Sequence, residues 1–292
     1  MIDLHLHTKN SDGDFSVLEI LEKAKENKLE VISITDHNNV DAYAELTKVR
    51  DVYKGKIISG TELCFVHDGL VMEVLGYGFD LNKLTAKELL KKGFLPSTIE
   101  NETKNLNLLK LACDKLNIIY SKDLKITTHN YYANDVIVDD ILTYSENKEI
   151  LKALEIIHRN SFYRKHVLNR ESPFFIDFTA GKGDLSYVSN IIREAGGKCF
   201  LAHTFVYGLK EPKKFLEYAV SINAIDGIEC YHRRHGEEQI DFLLDFCDKN
   251  NLLKSGGSDY HHSKHSIGYA DRGRIKIPYD IIDDWINEEK HL

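Results

Sequence analysis

Short apolar, β-branched segments alternate with amphipathic helical ones along this chain, and the apolar segments repeatedly end in histidine, aspartate or glutamate. Ile2–His5 has strand character, and Ser16-Val17-Leu18-Glu19 reads as a capping box that opens a helix with Leu18, Leu21 and Ala24 on one face. Val31–Thr35 is a second strand, a helix follows through Ala42–Val49, and Ile57–Gly60 is a third strand. Val71–Tyr77 reads as a further strand, paired with Leu63–Val66 across Asp68-Gly69. The pattern returns in the last third. A helix from Asp184 to Glu194 stops at Gly196-Gly197 before strand Lys198–Ala202. Helix Pro212–Ser221 leads to strand Gly227–Cys230, and helix Glu237–Lys249 to strand Leu252–Ser255. Strands alternating with helices imply an α/β fold built on a parallel sheet or barrel.

The middle of the chain lacks this alternation. From Thr85 to Arg170 the patterns are helical: Ser97-x-x-Glu100 caps a helix to Leu116, and Val136–Tyr144 and Lys148–His158 are helical too. Residues 1–84 and 171–292 therefore read as the barrel, with 85–170 as an inserted helical subdomain or lid.

The chemistry-bearing residues fall where those strands end. His5 and His7 are two apart, so on a strand they share a face, and Asp12 follows them. Asp36-His37 closes the second strand and Glu62 the third. His203 follows Lys198–Ala202, and Asp259-x-His261 follows Leu252–Ser255, with Gly256-Gly257 allowing a tight exit. In βα barrels that rim is where loops converge on one opening. Imidazole and carboxylate ligands suit Zn, Mn and Fe.

Composition narrows the partners. A formal charge of −8, from 38 basic and 46 acidic residues, argues against duplex nucleic acid held on a basic surface. It leaves room for a small phosphorylated ligand gripped by a few local cations. No apolar run approaches the roughly 18 residues of a membrane span. Chemistry beginning at the third residue leaves no room for a signal peptide, and the five scattered cysteines read as reduced thiols of a cytoplasmic protein.

Taken together, Asp-x-His-x-His-Thr with Ser-Asp-Gly, Ile-Thr-Asp-His-Asn, Gly-x-Glu, Leu-Ala-His and Gly-Ser-Asp-x-His resemble the PHP (polymerase and histidinol phosphatase) family, from Asp3 to His261. The resemblance implies a distorted (β/α)7 barrel with a di- or trinuclear metal centre that hydrolyses phosphoesters. Ala195-Gly196-Gly197, Gly227-Ile228-Glu229-Cys230-Tyr231-His232 and the helical insertion are similar to the branch of nucleotide 3′,5′-bisphosphate phosphatases and a 5′-to-3′ exoribonuclease. By motif position it implies one ion on His5, His7, Glu62 and Asp259 and a second on Asp12, His37 and His261. A third would share Glu62 and take His203 and Glu73. The family usually has histidine where this chain has Glu73; a carboxylate adds negative charge and favours Mn or Fe over Zn. If Glu73 does not ligate, the site is dinuclear. Thr204 stands where the family commonly has proline, implying a local loop change.

The expected activity is that of a metal-dependent phosphoric ester hydrolase acting on a phosphomonoester of a nucleotide or another small phosphorylated metabolite, by attack of a metal-bridging hydroxide. Asp36 would orient a ligand or hydrogen-bond the attacking water. His235 and His232 are candidates to protonate the leaving oxygen, and Arg234 and its neighbour to fork phosphate oxygens. Two alternatives stay open within enzymes, histidinol-phosphate phosphatase and short-RNA 5′–3′ exonuclease; outside them stands a non-catalytic metal-binding module. His262, His265, His67, and His129, His158 and His166 of the insertion read as surface or structural residues. The charges at Arg159, Arg164, Lys165 and Arg170 could meet a second phosphate, though exposed charge is commoner. Gly181-Lys182-Gly183 lacks the spacing of a phosphate-binding loop.

Overall fold

The computed structural model describes residues 1–94, 99–128, 132–179, 182–286 and 292. Ser97, His129, Gly181 and the side chain of Arg164 lie outside the described part. The chain divides into two compact units, Met1–Pro96 with Gly181–Leu292, and Ser97–Ala180.

The first unit carries one seven-stranded sheet whose order follows the chain: β1 Ile2–Leu6, β2 Val31–Ile34, β3 Lys56–His67, β4 Leu70–Tyr77, β5 Lys198–Leu201, β6 Gly227–His232 and β7 Leu253–Gly257. Pairing is parallel except on both sides of β4, which runs antiparallel to β3 and β5. The reason is local. Asp68 and Gly69 both take positive φ and turn the chain back on itself, so β4 must return along β3. The sheet nearly closes, because His7 N–H reaches the Tyr260 carbonyl and Tyr260 N–H the His5 carbonyl just past β7. Asp3 ties the same seam: its buried carboxylate accepts from Ser258 N–H, Ser258 Oγ and Gly268 N–H at 2.9, 2.5 and 2.6 Å. This is the distorted seven-stranded α/β barrel with an inserted helical unit that the motifs imply.

The strand expected at 57–60 and the one at 63–66 are one continuous β3, paired in register from Gly60↔Tyr77 to His67↔Leu70. Helices Val17–Glu26, Ala42–Val49, Leu185–Glu194, Pro212–Ser221 and Glu237–Asn250 form where the periodicity places them. The first has its capping box, with Ser16 Oγ accepting from Glu19 N–H and Glu19 accepting from Ser16 N–H. Their apolar faces (Leu21, Leu46, Ile192, Leu216, Leu243) join Ile32, Ile34 and Leu201 in one core. A second cluster gathers Leu4, Ile58, Tyr77, Phe200 and Trp285.

The second unit has a core of its own around Leu106, Cys113, Ile137, Ile141, Phe162 and Phe174. The helix Ala86–Lys91, inside the stretch 85–170 assigned to the insertion by pattern, belongs instead with the first unit, where Leu89 and Phe94 are core residues. Residues 171–180 conversely fall in the second unit, through Phe174 and Ile176. The helix expected over 148–158 ends at Ala153, because Glu155 takes φ +55° and Ile156 N–H bonds back to the Leu151 carbonyl. The one expected over 136–144 runs Ala133–Ile141. All five cysteines are free, and among the described residues no helix is long and apolar enough to cross a membrane.

Candidate metal centre

The strand ends of the first unit bring nine side chains to one place. Four of their atoms meet at one corner: Glu62 Oε2 lies 3.2 Å from His5 Nε2 and 3.4 Å from His7 Nε2, and Asp259 Oδ1 lies 3.6 and 3.3 Å from the same two nitrogens. A tetrahedral ion with bonds of about 2.05 Å has ligand–ligand edges of about 3.3–3.4 Å, so each of these four nitrogen–oxygen separations is of the size that two ligands of one ion would show. The tautomers agree. His5 Nδ1 is 2.8 Å from Glu229 Oε1 and carries the proton there, which leaves the Nε2 lone pair facing two carboxylates. His7 Nε2 is buried and makes no hydrogen bond. Bare lone pairs facing carboxylates at such distances repel, so a cation must sit between them, either a proton or a metal ion.

Two further corners adjoin this one. His261 Nε2 is 3.0 Å from Asp12 Oδ2, with His37 Nε2 at 3.7 Å from the same oxygen and His7 Nδ1 3.4 Å from Asp12 Oδ1. In the other corner His203 Nε2 is 2.9 Å from Glu62 Oε1 and 3.7 Å from Glu73 Oε2. His37 Nδ1 lies 3.1 Å from Glu62 Oε2 and 3.5 Å from Glu73 Oε1. Donor atoms therefore group as His5, His7 and Asp259; as His7, Asp12, His37 and His261; as His5, Glu62 and His203; and as His37, Glu62 and Glu73. His37 stands between two of these groups, offering Nε2 toward Asp12 and Nδ1 toward Glu62 and Glu73.

The protons of this cluster report its charge. Burial opposes protonation of His37, yet Glu62, Asp12 and Glu73 together lift its pKa to about 9. Burial likewise opposes His261, and Asp12 and Asp259 lift it to about 10. Burial works against ionisation of Asp12 and Asp259 as well, but the surrounding histidines hold both well below the usual carboxylate range. Glu73 goes the other way: burial and the charge of Glu62 raise it. The pocket is a stack of carboxylates in want of positive charge.

The backbone is bent to build it. His203 and Asp259 take φ of +22° and +52°, a region that costs a non-glycine residue about 1–3 kcal/mol. At Gly257 the close approach of β7 to β1 leaves no room for a side chain, since an added Cβ would lie 2.1 Å from His5 Cβ and 2.5 Å from His5 N. Gly257→Ala is therefore expected to push β1 outward, lowering Tm by about 5 °C or more in a thermal melt and reducing bound metal in the same preparation. An unchanged melt with full metal content would show that β1 and β7 can separate there without harm.

The remaining candidates fall in distinct places. Asp36 accepts from Thr8 N–H and Thr8 Oγ1, both at 2.7 Å, and from Ser11 Oγ at 2.6 Å, so its buried carboxylate orders the loop after His7. His232 Nδ1 accepts from Arg234 N–H at 3.1 Å, which leaves the ring proton on Nε2, 3.3 Å from Asp259 Oδ2. His235 Nδ1 bonds the Cys230 carbonyl at 3.0 Å, and its buried Nε2 has no hydrogen-bond partner. The guanidinium beside the cluster belongs to Arg233, not to Arg234, whose side chain is exposed. Arg233 Nε and NH2 lie 3.3 and 3.2 Å from Asp259 Oδ2, and its NH1 is 2.7 Å from His265 Nδ1. His265 is thereby joined to the site rather than being a simple surface residue.

Sequence reasoning missed Glu229. This buried carboxylate holds His5 Nδ1 with one oxygen and accepts His203 N–H with the other, at 2.8 Å each, so it sets two ligand positions at once. The signal was available, since Glu229 lies near the end of the segment 227–230 expected as a strand, much as Glu62 follows the one expected at 57–60.

The profile of the PHP domain family matches residues 3–171. The chain belongs to the PHP family. Among relatives of this PHP chain, a 5′–3′ exoribonuclease of Haemophilus influenzae is 22% identical over 287 residues, 97% of each chain. An uncharacterized protein of Methanocaldococcus jannaschii is 29% identical over 168 residues, 51% of this chain and 92% of that one. A candidate metal-dependent phosphoesterase of Bifidobacterium adolescentis superposes with TM-score 0.69 at 19% identity, covering 99% of this PHP chain and 96% of the other. An amidohydrolase of Chromobacterium violaceum, with bound sulfate and no metal, gives TM-score 0.70 at 19% identity over 96% and 93%. These two likenesses concern the fold.

Proposed function

We propose that this PHP protein is a metal-dependent phosphoesterase that hydrolyses the phosphomonoester of a nucleotide or another small phosphorylated metabolite. The observation that carries the reading is the 3.2–3.6 Å spacing of His5 Nε2 and His7 Nε2 from both Glu62 Oε2 and Asp259 Oδ1, continued into two adjoining corners of donor atoms. Two or three divalent ions, Mn, Fe or Zn, would be held by His5, His7, Asp12, His37, Glu62, Glu73, His203, Asp259 and His261. When bound, such ions neutralise phosphoryl oxygens and make hydroxide available near neutral pH.

The chain's own residues do the rest. Glu229 presents the Nε2 lone pair of His5, and Asp36 fixes the loop that carries Asp12. His232, with its proton on Nε2, is assigned to orient Asp259 rather than to protonate a leaving group. His235 carries its proton toward Cys230, so in this neutral form it has none to deliver from Nε2. Arg233 is the cation at the rim, able to receive a phosphate oxygen as its hold on Asp259 loosens.

A second reading, short-RNA 5′–3′ exonuclease, is favoured by the exoribonuclease relative, which aligns along 97% of both chains. One experiment separates them. Protein loaded in turn with Mn²⁺, Fe²⁺ and Zn²⁺ is offered nucleotides, nucleoside bisphosphates, sugar phosphates, histidinol phosphate and short 5′-phosphorylated RNA. Phosphate release from the small compounds, abolished by EDTA, supports the main reading. Mononucleotide release from RNA alone would replace it with the second. Inactivity across the whole panel with every ion would leave a binding module.

A further inference from the structure

We infer that Tyr207 is a positioning residue that holds Glu73 as a metal ligand in the corner it shares with Glu62 and His203; this rests on the reading that the corner takes an ion. Glu73 has three rotatable side-chain bonds and lies against another carboxylate, so unaided it would swing away from Glu62. What holds it is visible. The Tyr207 hydroxyl accepts the backbone N–H of Glu73 at 2.9 Å and stands 3.3 Å from Glu73 Oε2, to which its own proton is given. One hydroxyl thus pins both the main chain and the carboxylate of the same residue. With Oε2 fixed by Tyr207, Oε1 is left toward His37 Nδ1 at 3.5 Å, and Oε2 remains 3.7 Å from His203 Nε2.

Tyr207 is placed to do this by the ligand turn itself. It closes the short 3₁₀ helix Thr204–Tyr207, which starts one residue after His203 and is locked by Val206 N–H on the His203 carbonyl. The His203 and Tyr207 rings lie 5.3 Å apart. One turn therefore carries a ligand of this corner and the group that sets its partner ligand. A histidine at position 73 would have less need of such a hold, having fewer torsions and no charge to repel Glu62.

The test is a double-substitution cycle on metal binding, read by titrating metal-depleted protein with Mn²⁺ and by counting ions after gel filtration. Tyr207→Phe keeps the ring and removes only the hydroxyl. It is expected to weaken one class of Mn²⁺ by roughly 10- to 100-fold while the others stay within about twofold. In a Glu73→Gln background the same change is expected to have no further effect, because the carboxylate it held is gone. Equal weakening of all ions, or an undiminished effect in the Glu73→Gln background, would mean that Tyr207 acts through general packing and would overturn the inference. So would a full set of tightly bound ions in Tyr207→Phe. A parent protein from which Glu73→Gln removes no ion would fail differently: the corner itself would not be a metal site.

Discussion

A Glu62→Gln variant is expected to release phosphate at least about 1,000-fold more slowly than the parent chain and to retain at most one of its metal ions. Glu62 is shared by two of the three corners. Its Oε2 faces His5, His7 and His37 at 3.1–3.4 Å, and its Oε1 faces His203 at 2.9 Å. An amide there removes the bridging charge and turns an N–H donor toward histidine nitrogens that must face a cation. Charge stabilisation by such ions is worth several kcal/mol, and each 1.36 kcal/mol is tenfold in rate, which sets the size of the loss. The variant should still fold, since glutamine keeps the volume and the core around β3 is untouched. Circular dichroism, metal content and phosphate release measured on one preparation decide the matter. Activity within tenfold of the parent, with all ions retained, would refute the bridging role.

What could be read from the chain beforehand was the candidate ligand set, because residue type and position along a strand are both local properties. His5, His7, Asp12, His37, Glu62, His203, Asp259 and His261 each sit at or just past an apolar segment, and the barrel gathers those ends without further instruction. The residues that orient the ligands were harder to see, for two physical reasons. The first is phase. A register irregularity in β6 between Glu229 and Tyr231 lets Glu229 and His232, three residues apart, both face the centre. Strict alternation cannot predict that, nor that Arg233 rather than Arg234 would reach Asp259. The second is distance along the chain. Glu229 acts on His5, Asp36 on Thr8 and Tyr207 on Glu73, and no such pair lies close in sequence.

The boundary of the helical unit was misplaced for a related reason. Periodicity identifies a helix but not the core its apolar face will join, and Leu89 and Phe94 join the barrel's core rather than that of the unit their pattern resembles.

Removing the metal is expected to make the stability of this protein fall steeply with rising pH, whereas the metal-loaded form should change little. In the metal-free state the carboxylates hold protons on His37 and His261 against the opposing effect of burial, with pKa values of about 9 and about 10 where unfolded histidine has about 6.5. A group whose folded pKa lies above its unfolded value stabilises the fold fully below the unfolded pKa. That contribution fades as pH rises and is gone above the folded pKa. The window here runs from about 6.5 to about 10. One pKa unit corresponds to about 1.36 kcal/mol, but both histidines lean on Asp12, so their contributions overlap and a loss of several kcal/mol is expected rather than the full sum. That is a fall in Tm on the order of 10 °C. Bound ions replace those protons, so the loaded protein has nothing to lose in this window, and metal affinity rises with pH as fewer protons must be displaced. Melts of EDTA-treated and Mn²⁺-loaded protein at pH 6, 7, 8, 9 and 10 test this directly. Parallel curves for the two forms would mean that the protons and the metal do not compete for the same nitrogens, and the cluster would have to be something other than a metal site filled by protons in its empty state.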